Sequence, residues 1–252
     1  MVRIVGISDI HYTASRDTRH AIDDIINYVS NIDIVACHGD LIHVDSGDVE
    51  GDLTTIKNKI ETISASEFYY TPGNHDHWFK HRRVFGKTYD IVEKNTYILA
   101  VIDSSFTGRL PVIPYLQIYK LVKLAKQTGK AIIMFTHAIP CPMCGHDDYT
   151  APYDVNYEYW VARNGEGLLN ELDSIGVKVL ILTGHIWPST AQITTWGNNI
   201  TLACKRHTWD GTGTSCNGDT YVIDIDETNR TITINVFKHD TKTISQIGQI
   251  TY

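Results

Sequence analysis

Five groups of polar residues each stand directly after a short apolar run: Asp9 with His11, Asp40, the series Asn74-His75-Asp76, His137, and His185. Carboxylates, imidazoles and one amide oxygen make a hard-to-borderline ligand set, suited to Mn, Fe, Zn or Co rather than to an ion that prefers thiolates. Taken singly, Asp-x-His or Gly-Asp is more often a surface loop or a turn. Their shared position changes the reading, because the carboxyl ends of parallel strands converge on one edge of an open sheet. Side chains that leave five strands at that edge would meet as one cage for cations. Asp9 and His11, two apart on an extended segment, would point the same way. Gly39 before Asp40 and Gly73 before Asn74 would let the backbone turn sharply and an ion or a phosphate come close.

The elements that position these groups are expected from the alternation of short apolar runs with longer amphipathic stretches between residue 3 and about residue 183. That pattern predicts strand-helix-strand units feeding a largely parallel sheet. Strands are expected at 3–8, 32–37, 67–70, 97–103, 131–136 and 177–183. Between them Ala21, Ile22, Ile25, Ile26 and Val29 recur at helical spacing, as do Ile56, Ile60 and Ile63, then Leu121, Val122, Leu124 and Ala125. Asp17 or Thr18 would cap the first of these helices, and a further helix is expected over 167–175, ended by Gly176. Past residue 188, Thr, Ile and Val alternate with polar residues at 191–196, 200–203, 221–226 and 231–237, the pattern of antiparallel hairpins. No repeat or linker divides the 252 residues, so a single domain over 1–252 is expected.

In this order, Asp-x-His, Gly-Asp, Gly-Asn-His-Asp, an isolated His after a strand, and Gly-His resemble the motif series of the calcineurin-like metallophosphoesterases, over residues 1 to about 187. The resemblance implies a four-layer α/β/β/α sandwich of two mixed sheets, the C-terminal strands completing the second sheet. It implies that Asp9 and His11 bind a first metal, that Asp40 bridges two ions, and that Asn74, His137 and His185 hold the second. His75 matches the histidine that in this family faces the substrate and stabilises charge or protonates the leaving group, and Asp76 would support it in the catalytic machinery. One or two divalent transition metals are therefore expected as cofactors, Mn foremost. Two cations about 3.5–4 Å apart lower the pKa of a shared water toward neutrality and clamp phosphate oxygens. The implied reaction is hydrolysis of phosphate mono- or diesters by metal-activated hydroxide, with His75 as the donor at the leaving oxygen.

One departure from the family pattern stands out. The series usually ends in Gly-His-x-His, whose last histidine completes the first metal site, whereas this segment reads Gly184-His185-Ile186-Trp187. An indole nitrogen is only a donor and cannot ligate a metal. The first site would bind its ion more weakly or borrow a ligand, from His207 foremost, or from His43, His38 or His77. Cys141-Pro142-Met143-Cys144 has the look of a zinc knuckle, but structural zinc wants four ligands and no second pair at similar spacing exists. Unbridged thiols are the other reading. The segment 138–160 that contains this pair shows no clear periodicity and carries Tyr149, Tyr153, Tyr157, Tyr159 and Trp160. Directly after His137, it is expected either as a substrate-side loop or lid or as ordinary loop packing.

Composition narrows the function classes. A net charge of -7 and a pI near 5.9 argue against a surface built to hold long nucleic acid, which depends on many Lys and Arg neutralising phosphates. The basic run Lys80, Arg82, Arg83 and Lys87 reads as a solvated face. The expected substrate is a small-molecule phosphate ester, nucleotides and cyclic nucleotides among them. Two alternatives are a nuclease resembling the DNA-repair phosphoesterases and a binding scaffold resembling the retromer subunit that has lost catalytic ligands. Five cysteines, an odd number, suit a reducing compartment. The N-terminal run does not read as a secretion signal, and no window approaches the roughly 20 apolar residues of a membrane span. A cytoplasmic protein with no membrane partner is expected.

Overall fold

Apolar residues that run on consecutively, rather than alternating with polar ones, require a strand buried on both faces. In the computed structural model, residues 1–15, 17–104, 111–138, 140, 162–186, 188–206 and 218–252 are described. The apolar runs fold as β1 (Val2–Ile7), β2 (Ile34–His38), β3 (Glu67–Thr71), β5 (Tyr97–Ile102), β6 (Ala131–Thr136) and β7 (Val179–Thr183), with the short β4 (Asp90–Glu93) between β3 and β5. They do not share one sheet. β1, β2 and β3 are parallel neighbours in one, and β5, β6 and β7 are parallel neighbours in a second.

The later strands complete both sheets. β8 (Gln192–Trp196) and β9 (Ile200–Cys204) form a hairpin whose β9 pairs parallel with β7. β10 (Asp219–Asp226), β11 (Thr231–Lys238) and β12 (Thr243–Thr251) form an antiparallel meander on β1. Among the described residues each sheet has six strands, in the orders β12-β11-β10-β1-β2-β3 and β4-β5-β6-β7-β9-β8. The parallel sheet expected from the alternation is thus divided in two, and each half carries antiparallel flanks.

Three apolar layers follow from the two-residue repeat of strands. Between the sheets lie Ile4, Ile34, Leu99, Ile133, Phe135, Leu180, Tyr221 and Ile234. Their neighbours along the strands point outward: Val5, Ile7 and Val35 meet α1 (His20–Tyr28) and α2 (Val49–Ile60) through Ile22, Ile25, Leu53 and Ile56. On the other side Ile132, Met134 and Ile181 meet α4 (Tyr115–Thr128) and α5 (Gly165–Ile175) through Leu121, Ala125, Leu168 and Leu172. Each such aliphatic side chain contributes about 1.5–3 kcal/mol on burial. The Tyr221 hydroxyl reaches from the first sheet to the carbonyls of Thr183 and Ala203 in the second, at 3.0 and 2.8 Å. It ties an inner strand of one sheet to two inner strands of the other.

Lys80, Arg82 and Arg83 of the basic run lie on the short α3 (Trp78–Phe85), where Arg83 pairs with Glu50 of α2, and Lys87 follows the helix, paired with Asp90. The first helix starts later than expected, with Arg19 at its N-cap and no side-chain cap. The Asp17 carboxylate is taken by the amide and guanidinium of Arg19, and Thr18 contributes its carbonyl, which accepts from the Ala21 amide at 3.1 Å. Among the described residues no helix is long and apolar enough to cross a membrane. Nearly all of 138–160, with Cys141 and Cys144, lies outside the described residues, as do Trp187 and His207.

Candidate metal centre

The loops that follow β1, β2, β3, β6 and β7 meet at one end of the sandwich, where the parallel strands of both sheets terminate. The loop after β1 is zipped to the loop after β2: the amides of Asp9, His11 and Tyr12 donate to the carbonyls of Gly39, Asp40 and Leu41, each at 3.0 Å. The segment carrying Asp9 and His11 is not extended. Asp9 and His11 take left-handed backbone angles (φ 57° and 50°), as do Asp40 and His185 (φ 51° and 65°). A non-glycine residue held there costs on the order of 1–3 kcal/mol, and such residues cluster at functional sites. All four carry groups expected to bind metal.

Gly39, with φ 99°, and Gly73 face one another where two of these loops interlock. A Cβ on Gly73 would lie 2.1 Å from Asp40 Oδ1 and 2.3 Å from the Asp40 amide. Only glycine lets the Gly73-Asn74-His75 backbone lie against Asp40, and the His75 amide thereby donates to Asp40 Oδ1 at 2.9 Å.

Asp40 Oδ2 is the centre of the cluster. His137 Nε2 lies 3.2 Å from it, His11 Nε2 3.7 Å and His75 Nε2 3.9 Å. The Asn74 side-chain oxygen is 2.9 Å from His137 Nε2, and the His185 ring lies 4.9 Å from the His137 ring, centroid to centroid. Ligand atoms of Asp40, His137 and His185 fall within 4.8 Å of one another, and so do those of Asp9, His11 and Asp40. The five groups expected at separate strand ends are brought together, with Asp9, His11, Asp40, His137 and His185 all buried.

Protons on the imidazoles are set by their outer partners. His137 Nδ1 donates to the His38 carbonyl at 3.1 Å, which leaves Nε2 as the atom facing the cluster. Burial opposes a charge on His137, but Asp40 and then Asp9 outweigh it and push the group up to about 9. Asp40 is desolvated too, yet the surrounding imidazoles hold it well below the usual carboxylate range. Oxygen acceptors converging on Nε2 favour a cation at that point. The donor set of carboxylates, imidazoles and an amide oxygen therefore fits a divalent transition metal.

His75 differs from its neighbours. Its Nδ1 accepts the Val44 amide at 3.1 Å, so in the neutral ring the proton resides on Nε2, facing Asp40. Burial lowers its pKa, opposed by Asp40 and assisted by His43 and His137. Asp76, expected to support His75 in catalysis, is buried with its carboxylate turned to the backbone. It accepts the amides of Leu41, Ile42 and Gly73 at 3.0, 3.1 and 2.9 Å, binding the β2 and β3 loops to each other.

Of the residues considered as a substitute ligand, His38 packs in the core against Phe135 and Tyr221, and exposed His77 caps α3. His43 lies beside the centre. Its ring is 5.3 Å from His11 and 5.0 Å from His75, and it groups with those two rather than with Asp9, His11 and Asp40. Its Nδ1 contacts Asp45 Oδ1 at 2.7 Å. Sequence reasoning missed Lys205 altogether. This lysine, 1% exposed, follows β9 and brings Nζ within 3.5 Å of Asp9 Oδ2. The parallel register of β7 and β9 pairs Thr183 with Cys204, which sets Lys205 beside Gly184 and His185.

Known proteins show similar architecture. No curated protein matches the sequence. A dimetal phosphatase from Danio rerio is similar with a TM-score of 0.73 at 12% identity, over 100% of this chain and 99% of that one. A purple acid phosphatase from yellow lupin seeds gives 0.69 at 12% identity, over 99% of this chain and 53% of its own. Vps29 from Entamoeba histolytica gives 0.51 at 10%, over 100% and 99%. At such identities the likeness concerns the fold, here two mixed sheets flanked by helices. The family model of the calcineurin-like phosphoesterases matches residues 2–208, a span that contains all five loops and the donor set they carry, and the chain belongs to that family.

Proposed function

We propose that the protein hydrolyses phosphate mono- or diesters of small molecules, nucleotides among them, in a metal-dependent reaction. The observation that carries this reading is Asp40 Oδ2, a single buried carboxylate oxygen with three imidazole Nε2 atoms between 3.2 and 3.9 Å away. Membership of a phosphoesterase family supports it. Asp40, Asn74, His137 and His185 would hold one divalent ion, and Asp9, His11 and Asp40 a second position. Mn is the favoured ion, because nitrogen and oxygen donors without thiolates suit it. When bound, such ions polarise phosphate oxygens and make water nucleophilic near neutral pH.

The chain's own groups account for the remaining steps. His75, one-fifth exposed, presents a proton at Nε2 toward the cluster and would deliver it to the leaving oxygen. Asp76 would act as a positioning residue, since its carboxylate binds the loops that carry Asp40 and His75. The formal charge of -7 supports a small substrate over long nucleic acid. The buried thiols Cys37 and Cys204 support a reducing compartment such as the cytoplasm.

The experiment is a turnover panel with added Mn, covering p-nitrophenyl phosphate, bis-p-nitrophenyl phosphate, cyclic nucleotides and single-stranded DNA. Metal-dependent turnover of a small ester is expected. Activity confined to DNA would favour the nuclease reading, and absence of both turnover and bound metal would favour a scaffold.

A further inference from the structure

A buried lysine next to a would-be metal ligand needs a reason, because an ammonium taken out of water is costly unless its charge is matched. Lys205 is 1% exposed and its Nζ lies 3.5 Å from Asp9 Oδ2. It is too enclosed to serve as a surface contact for a substrate. Both oxygens of Asp9 are engaged: Oδ1 accepts the His185 amide at 3.1 Å, and Oδ2 accepts the Ser8 hydroxyl while facing Lys205. A carboxylate offers about four lone-pair sites, and of those on Asp9 two are taken by hydrogen bonds while the ammonium faces a third. Among the described residues, which do not include His207, the same position is short of a ligand on other grounds. Where the family series places a second histidine, this chain has Trp187, and His43 does not join Asp9, His11 and Asp40 in one set.

We propose that the Lys205 ammonium takes over the charge-balancing role of an ion at the first metal position, so that the chain holds one tightly bound divalent ion, at Asp40, Asn74, His137 and His185. Asp9 and Asp40 are both buried acids: one divalent ion with one ammonium sets three positive charges against their two negative ones, whereas two divalent ions with the ammonium would set five. An ion placed at Asp9 and His11 would meet the ammonium as a like charge across one carboxylate, in surroundings that screen poorly. This inference rests on the metal-dependent reading above and adds the number of ions and the residue that sets it.

The test is a titration of metal-free protein with MnCl2, followed by calorimetry and by electron paramagnetic resonance. The intact protein is expected to take up one equivalent tightly, with the six-line signal of an isolated ion, and a second at least 100-fold more weakly. In Lys205→Met the second equivalent should tighten at least tenfold, and in the Lys205→Met, Trp187→His double variant two equivalents should bind as a spin-coupled pair. Should the buried substitution prevent folding, Trp187→His alone decides the matter: with Lys205 retained, it should not create a second tight site. Two tight equivalents in the intact protein, or in Trp187→His, would overturn the inference and leave the phosphoesterase reading standing. No bound equivalent at all would remove both.

Discussion

At Asp40 a carboxylate is held from two sides. One oxygen accepts the His75 amide at 2.9 Å, and the other faces the imidazoles of His137, His11 and His75. Asp40→Asn preserves the volume and the bond to His75 while removing the charge and turning amide hydrogens toward the cluster. Turnover is expected to fall by more than about 100-fold, since even the outer partners of metal ligands typically contribute 10–100-fold; a variant as active as the parent would place the chemistry elsewhere. His75 calls for a finer measurement. Because the Val44 amide fixes its tautomer with the proton on Nε2, His75→Ala should lower turnover by about 10²–10⁴-fold on an alkyl ester, the usual worth of a positioned acid. On p-nitrophenyl esters, whose phenolate departs without a proton, the loss should be much smaller, and bound Mn should be unchanged. Equal losses on both substrates would make His75 a phosphate-binding group rather than an acid.

Among the elements, the loops after β2 and β3 form one unit because Asp76 accepts three of their amides. Asp76→Ala leaves these donors without their acceptor in a buried place, at about 1–3 kcal/mol for each unsatisfied group. A loss of at least about 3 kcal/mol in urea unfolding is expected from that per-group cost, and Asp76→Asn should restore part of it. A loss below about 1 kcal/mol would mean that water or backbone movement takes over these amides. The strands that end in these loops could be read from the sequence because each is a short, mostly apolar run, β2 buried along its whole length and β3 over its last three residues. Their division into two sheets could not be read from the apolar runs, since pairing depends on contacts distant in sequence; it came from the family resemblance, whose two mixed sheets the structure has. β12 escaped notice for a local reason. Its isoleucines, Ile244, Ile247 and Ile250, are spaced by three, which is neither the strand nor the helix period. A bulge opposite Ile234 and Asn235 leaves Ile247 without a register partner and restores the pairing beyond it. The left-handed angles of Asp9, His11, Asp40 and His185 were likewise invisible, because that conformation is imposed by the zipped loops and not by residue type. Lys205 was missed because a charge at the end of a predicted hairpin strand reads as solvated, whereas the parallel pairing of β9 with β7 carries it inside.

Across the molecule as a whole, the candidate centre spans the interface between the two sheets. Asp9, His11, Asp40 and Asn74 come from strands of the first, His137 and His185 from strands of the second. An ion held by both groups would tie the two sheets together at the end where the strands stop, beyond the reach of the apolar layer between them. Binding to the folded chain alone stabilises it by about 2.7 kcal/mol at a free concentration 100 times Kd. For a domain of this size that corresponds to about 5–10 °C in Tm, at roughly 2–4 °C per kcal/mol. Stripping metal with a chelator and restoring Mn in steps should therefore move the melting transition up by this amount while keeping it a single cooperative step. Asp40→Asn should abolish the response, because Asp40 belongs to both ligand groups. A Tm indifferent to Mn would mean that no ion bridges the sheets, and Asp40 with the six side chains around it would then have to be explained as a polar network closed on itself. Such a network would have to satisfy each buried imidazole and carboxylate with protons alone. His137, already pushed up to about 9 by the acids around it, is the group on which that alternative would depend.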